Sequence, residues 1–319
     1  MIPFRRSSGE IPAVSILRKV FRSVWIRWMV TFSLLGILAN RLDGAKIFHR
    51  LKEFDGITGL AMLAVNILLV FVFAKRWQLI AAGLKFDLPY RELVKAIWLA
   101  SFLGQFGPTL LIAEATRFRM LRQHASSSQL ITSQILDRLS GQIVLFVIVL
   151  LLFPSYLDTL PAVFSNGLAG LCGMIFVVGS IRFLYPRIRY LLNTQTGLAL
   201  ELLGRTGLAG HYTLSLLVQA LLIVNFSLAA WGLGVFDQLV PCLARVPLVF
   251  AILGLLPITV SDWGSREGAA AMLLSPSALD VESIVSISIV YGLFHLLATV
   301  PGGLFLVYKA PGKTHNHSQ

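Results

Sequence analysis

Charge is scarce in this chain. Only 13% of its 319 residues are Asp, Glu, Lys or Arg, against roughly 25% in a soluble domain, so a water-solvated fold has too little polar surface to draw on. Acidic residues are the scarcer kind, 15 against 27 basic ones, for a net charge of +12. Cysteine is nearly absent. Cys172 and Cys242 lie in or beside apolar segments, which excludes a disulfide framework and offers no metal or redox spacing. There is no nucleophile elbow, no paired-His zinc motif and no carboxylate cluster suited to a metal-dependent transferase. Gly312-Lys313-Thr314 lacks the glycine five positions earlier that a phosphate loop requires, and His315 and His317 in a polar tail make a poor metal site. The expectation is a non-enzyme with no catalytic residue, no cofactor and no metal. Met1–Val24 has no short apolar core ending in a small-residue cleavage site, so the first hydrophobic segment is expected to be retained as a span.

Apolar residues are what the chain has in excess. They make up 56% of it, and the mean hydropathy is +0.78. Ile57–Ala74, Leu139–Leu157, Tyr212–Phe236 and Ser283–Tyr308 carry no charge, and each reaches the ~18 residues that cross a hydrocarbon core. The fold class this predicts is an all-α polytopic membrane protein. About six full spans are expected, near Val24–Leu42, Ile57–Ala74, Ile131–Phe153, Val163–Ile181, Tyr212–Phe236 and Ser283–Tyr308. Most Lys and Arg fall in the short segments between them, where they set topology and meet anionic lipid; nothing presents the basic face that nucleic acid needs. Arg5, Arg6, Arg18, Lys19 and Arg22 precede the first span, and Lys75, Arg76, Lys85, Arg91 and Lys95 follow the second. Both basic groups, and both termini, are therefore expected on the cytoplasmic side of a cell membrane. Pro154–Asn166 has no Lys or Arg and reads as an external loop, and Tyr190–Leu203 as an interfacial amphipathic helix. The organisation expected is a basic segment (1–23), one transmembrane domain (24–309) and a polar tail (310–319).

Two segments break the pattern. Ala96–Ala113 is long enough to cross, but Gly104, Gly107 and Pro108 interrupt it, and Arg117, Arg119, Arg122 and Arg138 follow. A re-entrant hairpin keeps those arginines inside, whereas a crossing would place them outside. Val246–Ser261 and Gly268–Leu279 are short, and Asp262-Trp-Gly-Ser-Arg-Glu267 lies between them. They read as a second hairpin, entered from outside. Arg lies nine positions after Pro in both: Pro108 to Arg117, and Pro257 to Arg266. Flanking spans of opposite direction make this the pattern of an inverted repeat, about 57–153 and 212–308, with broken helices meeting at a substrate site. Irregular backbone at that depth is tolerated only against protein or a wet cavity.

Arg117 and Arg266 are the leading headgroup-binding candidates, with Glu114, Asp262 and Glu267 beside them. An arginine at membrane depth is costly unless paired or wet, and its planar fork suits phosphate or carboxylate. The alternative is that these charges neutralise one another or anchor topology. Gly107, Pro108, Pro257 and Gly264 are read as hinge positions. Asp137 and Arg138, being adjacent, cannot face each other on a helix. One of them is expected to pair with Arg117 or Glu114, as a latch or as a substrate contact. His295, alone inside the last span, is either a proton relay or a packed histidine bonded to a hydroxyl or carbonyl. Gln105, Gln134 and Asn225 carry the same two readings.

These segments also carry a resemblance. Phe102…Pro108…Glu114…Arg117, then Ile135-Leu-Asp-Arg-Leu-Ser-Gly141, Leu256-Pro-Ile-Thr259, Trp263-Gly-Ser-Arg-Glu-Gly268 and Pro301-Gly-Gly303 resemble the transmembrane region of lysylphosphatidylglycerol synthases and their stand-alone flippase-like relatives. The likeness runs from the first span to Pro301. Ile112-Ala113 and Ser261-Asp262 stand where that family often has paired glycines, which alters backbone approach to a headgroup. No aminoacyl-transferase domain is present, so the resemblance implies lipid binding and translocation, not lysine transfer. The partners implied are membrane lipids, anionic ones foremost. A second reading is an accessory protein that docks a glycosyltransferase or lipid-modifying enzyme.

Overall fold

A computed structural model describes residues 12–107, 109–152, 209–255, 259–274 and 279–307. Among these every regular element is helical. The helices are α1 (Pro12–Arg41), α2 (Gly44–Lys52), α3 (Gly56–Gly83), α4 (Tyr90–Gly104), α5 (Thr109–Leu121), α6 (Ser127–Leu151), α7 (Ala209–Gly232), α8 (Phe236–Leu239), α9 (Val246–Leu255), α10 (Ser265–Leu274) and α11 (Val281–Val307), with a 3-10 turn over Val240–Arg245. Gly56–Gly83, Ser127–Leu151, Gly210–Gly232, Phe236–Gly254 and Val281–Leu306 are long and apolar enough to cross a membrane. Trp25–Leu38 is a shorter apolar stretch within α1. The expected span Val163–Ile181, the external loop Pro154–Asn166 and the interfacial helix Tyr190–Leu203 lie outside the described residues, as do Pro108 and Pro257.

Helix starts follow local chemistry. Asp55 caps α3 by accepting from the backbone N–H groups of Ile57 and Thr58. Ser126 and Gln129 form a reciprocal capping box at α6, which satisfies two donors that a helix N-terminus otherwise leaves open. Several boundaries differ from the hydropathy reading. The span expected to end at Ala74 continues as helix to Gly83, because Trp77, Ile80 and Ala81 keep an apolar face buried past the two charges. Arg76 is therefore inside the bundle at 4% exposure, not in a cytoplasmic loop. The stretch between the first two spans also holds α2, whose Arg50 pairs with Asp280 at the start of α11.

Apolar burial is divided between two main clusters. One joins α3 to α4, α5 and α6 around Trp77, Leu93, Ile97, Leu121 and Leu130. The other joins α7, α9, α10 and α11 around Phe226, Val249, Leu274, Ile284 and Tyr291. α3 packs along α7 between them, through Leu69, Val72 and Val218. The helix pairings match across this seam: α3 with α4 as α7 with α9, α4 with α5 as α9 with α10, and α5 with α6 as α10 with α11. Across the seam, α4 meets α11 as α9 meets α6. Large side chains face outward, such as Val147, Leu150, Leu151, Leu304 and Leu306, an exposure a soluble protein does not sustain.

Candidate functional site

The first interruption falls at the expected glycines, whereas the second lies between Leu255 and Ser265, earlier than the expected Asp262–Glu267, so that Arg266 and Glu267 sit in a helix. α4 ends at Gly104 and α5 begins at Thr109. α9 ends at Leu255 and α10 begins at Ser265. The second break is backbone-strained: Ser261 and Asp262 have φ of 50° and 62°, and Gly264 has 82°. Non-glycine residues held there cost about 1–3 kcal/mol each and persist only under strong local constraint. The constraint is visible. Val260 N–H donates to Thr31 Oγ1 of α1 at 3.0 Å. Gly264 N–H donates to Glu267 Oε2 at 2.6 Å. Ser261 Oγ donates to Gln105 Oε1, which joins the second break to the first.

Between the breaks lies a cavity of about 390 Å³. α3 gives it Arg76, α5 gives Glu114 and Arg117, and α6 gives Asp137 and Arg138. The second break and α10 give Ser261, Asp262 and Arg266, and α11 gives Tyr291 and His295. Four arginines and three carboxylates thus face one space within the bundle.

Their pairing is uneven. Arg76 Nε donates to Asp137 Oδ1 at 2.7 Å, with both side chains under a tenth exposed. Gly141 leaves room for that guanidinium, since a Cβ there would stand 3.1 Å from Arg76 Nη1. Arg266 donates from Nε and Nη2 to Glu267 Oε1, and from Nε to Ser288 Oγ at 3.1 Å. Ser288 in turn donates to Glu267 Oε1 at 2.9 Å. The Arg266 guanidinium lies 5.0 Å from the Trp263 ring and 5.6 Å from that of Tyr291. Both groups are closed networks, the form in which charge is tolerated at depth. The third group is open. Glu114 Oε1 accepts from Arg117 at 3.5 Å and from Arg138 at 3.2 Å, while Glu114 Oε2 and Arg117 Nε are buried without a partner. Asp262 makes no ion pair among the described residues, though it stands within electrostatic reach of Arg266 and Arg138.

The structure thus brings Glu114, Arg117, Asp137, Arg138, Asp262 and Arg266 to one cavity wall or another, with Glu267 directly behind Arg266. Glu114 and Arg117 share a face of α5, as their spacing implies. Of the adjacent pair, Arg138 meets Glu114, and Asp137 turns to Arg76. His295 Nδ1 lies 3.3 Å from Asn66 Oδ1. Gln134 donates to the Glu114 carbonyl at 3.2 Å, and the Asn225 amide is buried with no partner. Among the described residues no group of three or more His, Cys, Asp or Glu is placed to hold a metal. Arg76, Ser288 and Tyr291 were not singled out from sequence. Arg76 looks like one more loop cation until the apolar positions beyond it are followed, and Ser288 and Tyr291 are unremarkable members of an apolar run.

Fold and site together define a polytopic all-α membrane protein whose two interrupted helices border an open, arginine-lined cavity. The chain belongs to the family of the lysylphosphatidylglycerol synthase TM region, whose family model matches residues 24–303. Neither curated proteins nor solved structures gave a match.

Proposed function

We propose that this chain binds the polar headgroup of a phospholipid or lipid-linked precursor in its central cavity and carries it across the bilayer, the acyl tails remaining in lipid. The observation that carries the reading is the convergence of both broken helices on one cavity that holds four arginines. Membership of the family points the same way. The matched pairings across the seam support an inverted repeat, with one break serving each side of the membrane. In this reading both termini face the cytoplasm and the chain converts no substrate. A pure docking scaffold gives no reason for buried charges around an interior space, since partner recognition uses the outer surface.

Translocation is measured with the purified chain in liposomes, by following a fluorescent-headgroup phospholipid with a membrane-impermeant quencher. Arg117→Ala and Arg266→Ala are expected to slow the rate at least tenfold relative to the parent chain. Parent-like rates in both variants, or no protein-dependent rate at all, would sink the proposal.

A further inference from the structure

We propose that Arg117 and Arg138 form the docking point for the phosphate group of the ligand, and that Glu114 is a built-in stand-in anion which the phosphate displaces. The inference deepens the headgroup reading above and rests on it. Of the three arginine–carboxylate groups on the cavity, two are closed: Arg76 with Asp137, and Arg266 with Glu267 and Ser288. The third has two guanidinium groups on a single carboxylate oxygen, at 3.5 and 3.2 Å. It leaves the other carboxylate oxygen and Arg117 Nε buried and unpartnered. Buried polar atoms are nearly always bonded, so orphans of both signs side by side call for an explanation. Two planar forks converging on one point suit a tetrahedral anion, which offers more acceptor oxygens than one carboxylate oxygen does. The Trp77 ring, 5.7 Å from the Arg117 guanidinium, backs the site. Access is open, because the Arg138 side chain is 44% exposed.

The charge count makes this an exchange. Once the closed pairs are set aside, Arg117 and Arg138 face Glu114 and Asp262, so an added anion is accommodated by releasing Glu114. That release has a mechanical consequence. Glu114 is on α5, Arg138 on α6, and their contact ties the two helices together beside the Gln134 bond to the Glu114 carbonyl. Phosphate docking replaces that tie with one through the ligand, from Arg117 of α5 to Arg138 of α6, and so couples ligand arrival to how the first broken helix is held.

The test uses the full purified chain in detergent, with dioctanoyl phosphatidic acid, inorganic phosphate and phosphate-free dioctanoylglycerol as probes. Affinity for phosphatidic acid is expected to fall at least tenfold in Arg117→Ala and Arg138→Ala, and to rise about threefold in Glu114→Gln, where the competing charge is gone. Arg138→Lys, which keeps the charge but not the fork, is expected to lie between. Binding of dioctanoylglycerol stays the same in all variants. The same variant pattern with inorganic phosphate alone, and none with phosphatidic acid, supports the docking point and identifies the free ion as the ligand. Unchanged affinity for both phosphate probes in the two alanine variants overturns the proposal, as does weaker binding in Glu114→Gln. Thermal midpoints recorded in parallel separate loss of fold from loss of binding. Failure here with intact translocation removes the docking point alone; the expected pattern without translocation removes the transport reading alone.

Discussion

Gly292 lies where the Arg266 guanidinium needs space: a Cβ there would stand 2.2 Å from Nη2 and 3.1 Å from the Trp263 ring. Gly292→Ala is therefore expected to push Arg266 off Glu267 and to cost about 1–3 kcal/mol as overpacking does, read as a lower thermal midpoint in detergent. The network it would disturb is more sensitive to loss of a member. Glu267 is 1% exposed, so Arg266→Leu leaves a buried charge uncompensated, at a cost of about 3–5 kcal/mol. Arg266→Leu combined with Glu267→Leu is expected to recover part of that loss, because Gly264 N–H and Ser288 Oγ then lose their acceptor. A double variant no more stable than the single one would show that the pair is not the source of the effect.

At the scale of the elements, Pro301-Gly-Gly303 shows what small residues do in a long helix. A Cβ on Gly302 would stand 2.3 Å from the Trp98 carbonyl oxygen, whereas one on Gly303 would meet only the Phe102 ring, at 3.0 Å. α11 thus lies against the backbone of α4, and the Trp98 indole donates to the Ala298 carbonyl at 2.8 Å, three residues before the proline. Gly302→Ala is expected to separate the helices and destabilise the fold by about 1–3 kcal/mol or more. Gly303→Ala should cost less, because a ring can turn and a backbone cannot. Unfolding midpoints of the two variants, measured side by side, give the order. Where α9 meets α6, a Cβ on Gly254 would stand 2.7 Å from the Gln142 side-chain amide, which can turn, so Gly254→Ala groups with Gly303→Ala.

For the whole molecule the decisive contact is Ser261 with Gln105, the hydrogen bond between the two breaks. If headgroup transfer requires the breaks to move relative to each other, tying them stops it. In a background with Cys172 and Cys242 replaced by Ser, Gln105→Cys with Ser261→Cys is expected to crosslink with a short bifunctional thiol reagent. Crosslinking should abolish liposome translocation, and each single-cysteine variant should remain active under the same treatment. Full activity of the crosslinked form would mean that the breaks work without separating.

The sequence by itself determined residence in the membrane, helical class and which two segments are interrupted. These are local properties: apolar runs of sufficient length, and Gly or Pro at set positions. It also determined that Glu114 and Arg117 share a helix face, because spacing along one helix decides that. Which charges pair across helices was decided only by the tertiary structure. Asp137 and Arg138 are neighbours in sequence, yet one closes onto Arg76 from α3 and the other opens onto Glu114 from α5. Arg76 itself moves from an expected loop to a cavity wall because α3 continues, and Ser288 acquires a role only by lying beside Arg266. Ion pairs and cavities are made between elements distant in the chain, and no periodicity within one element encodes their partners.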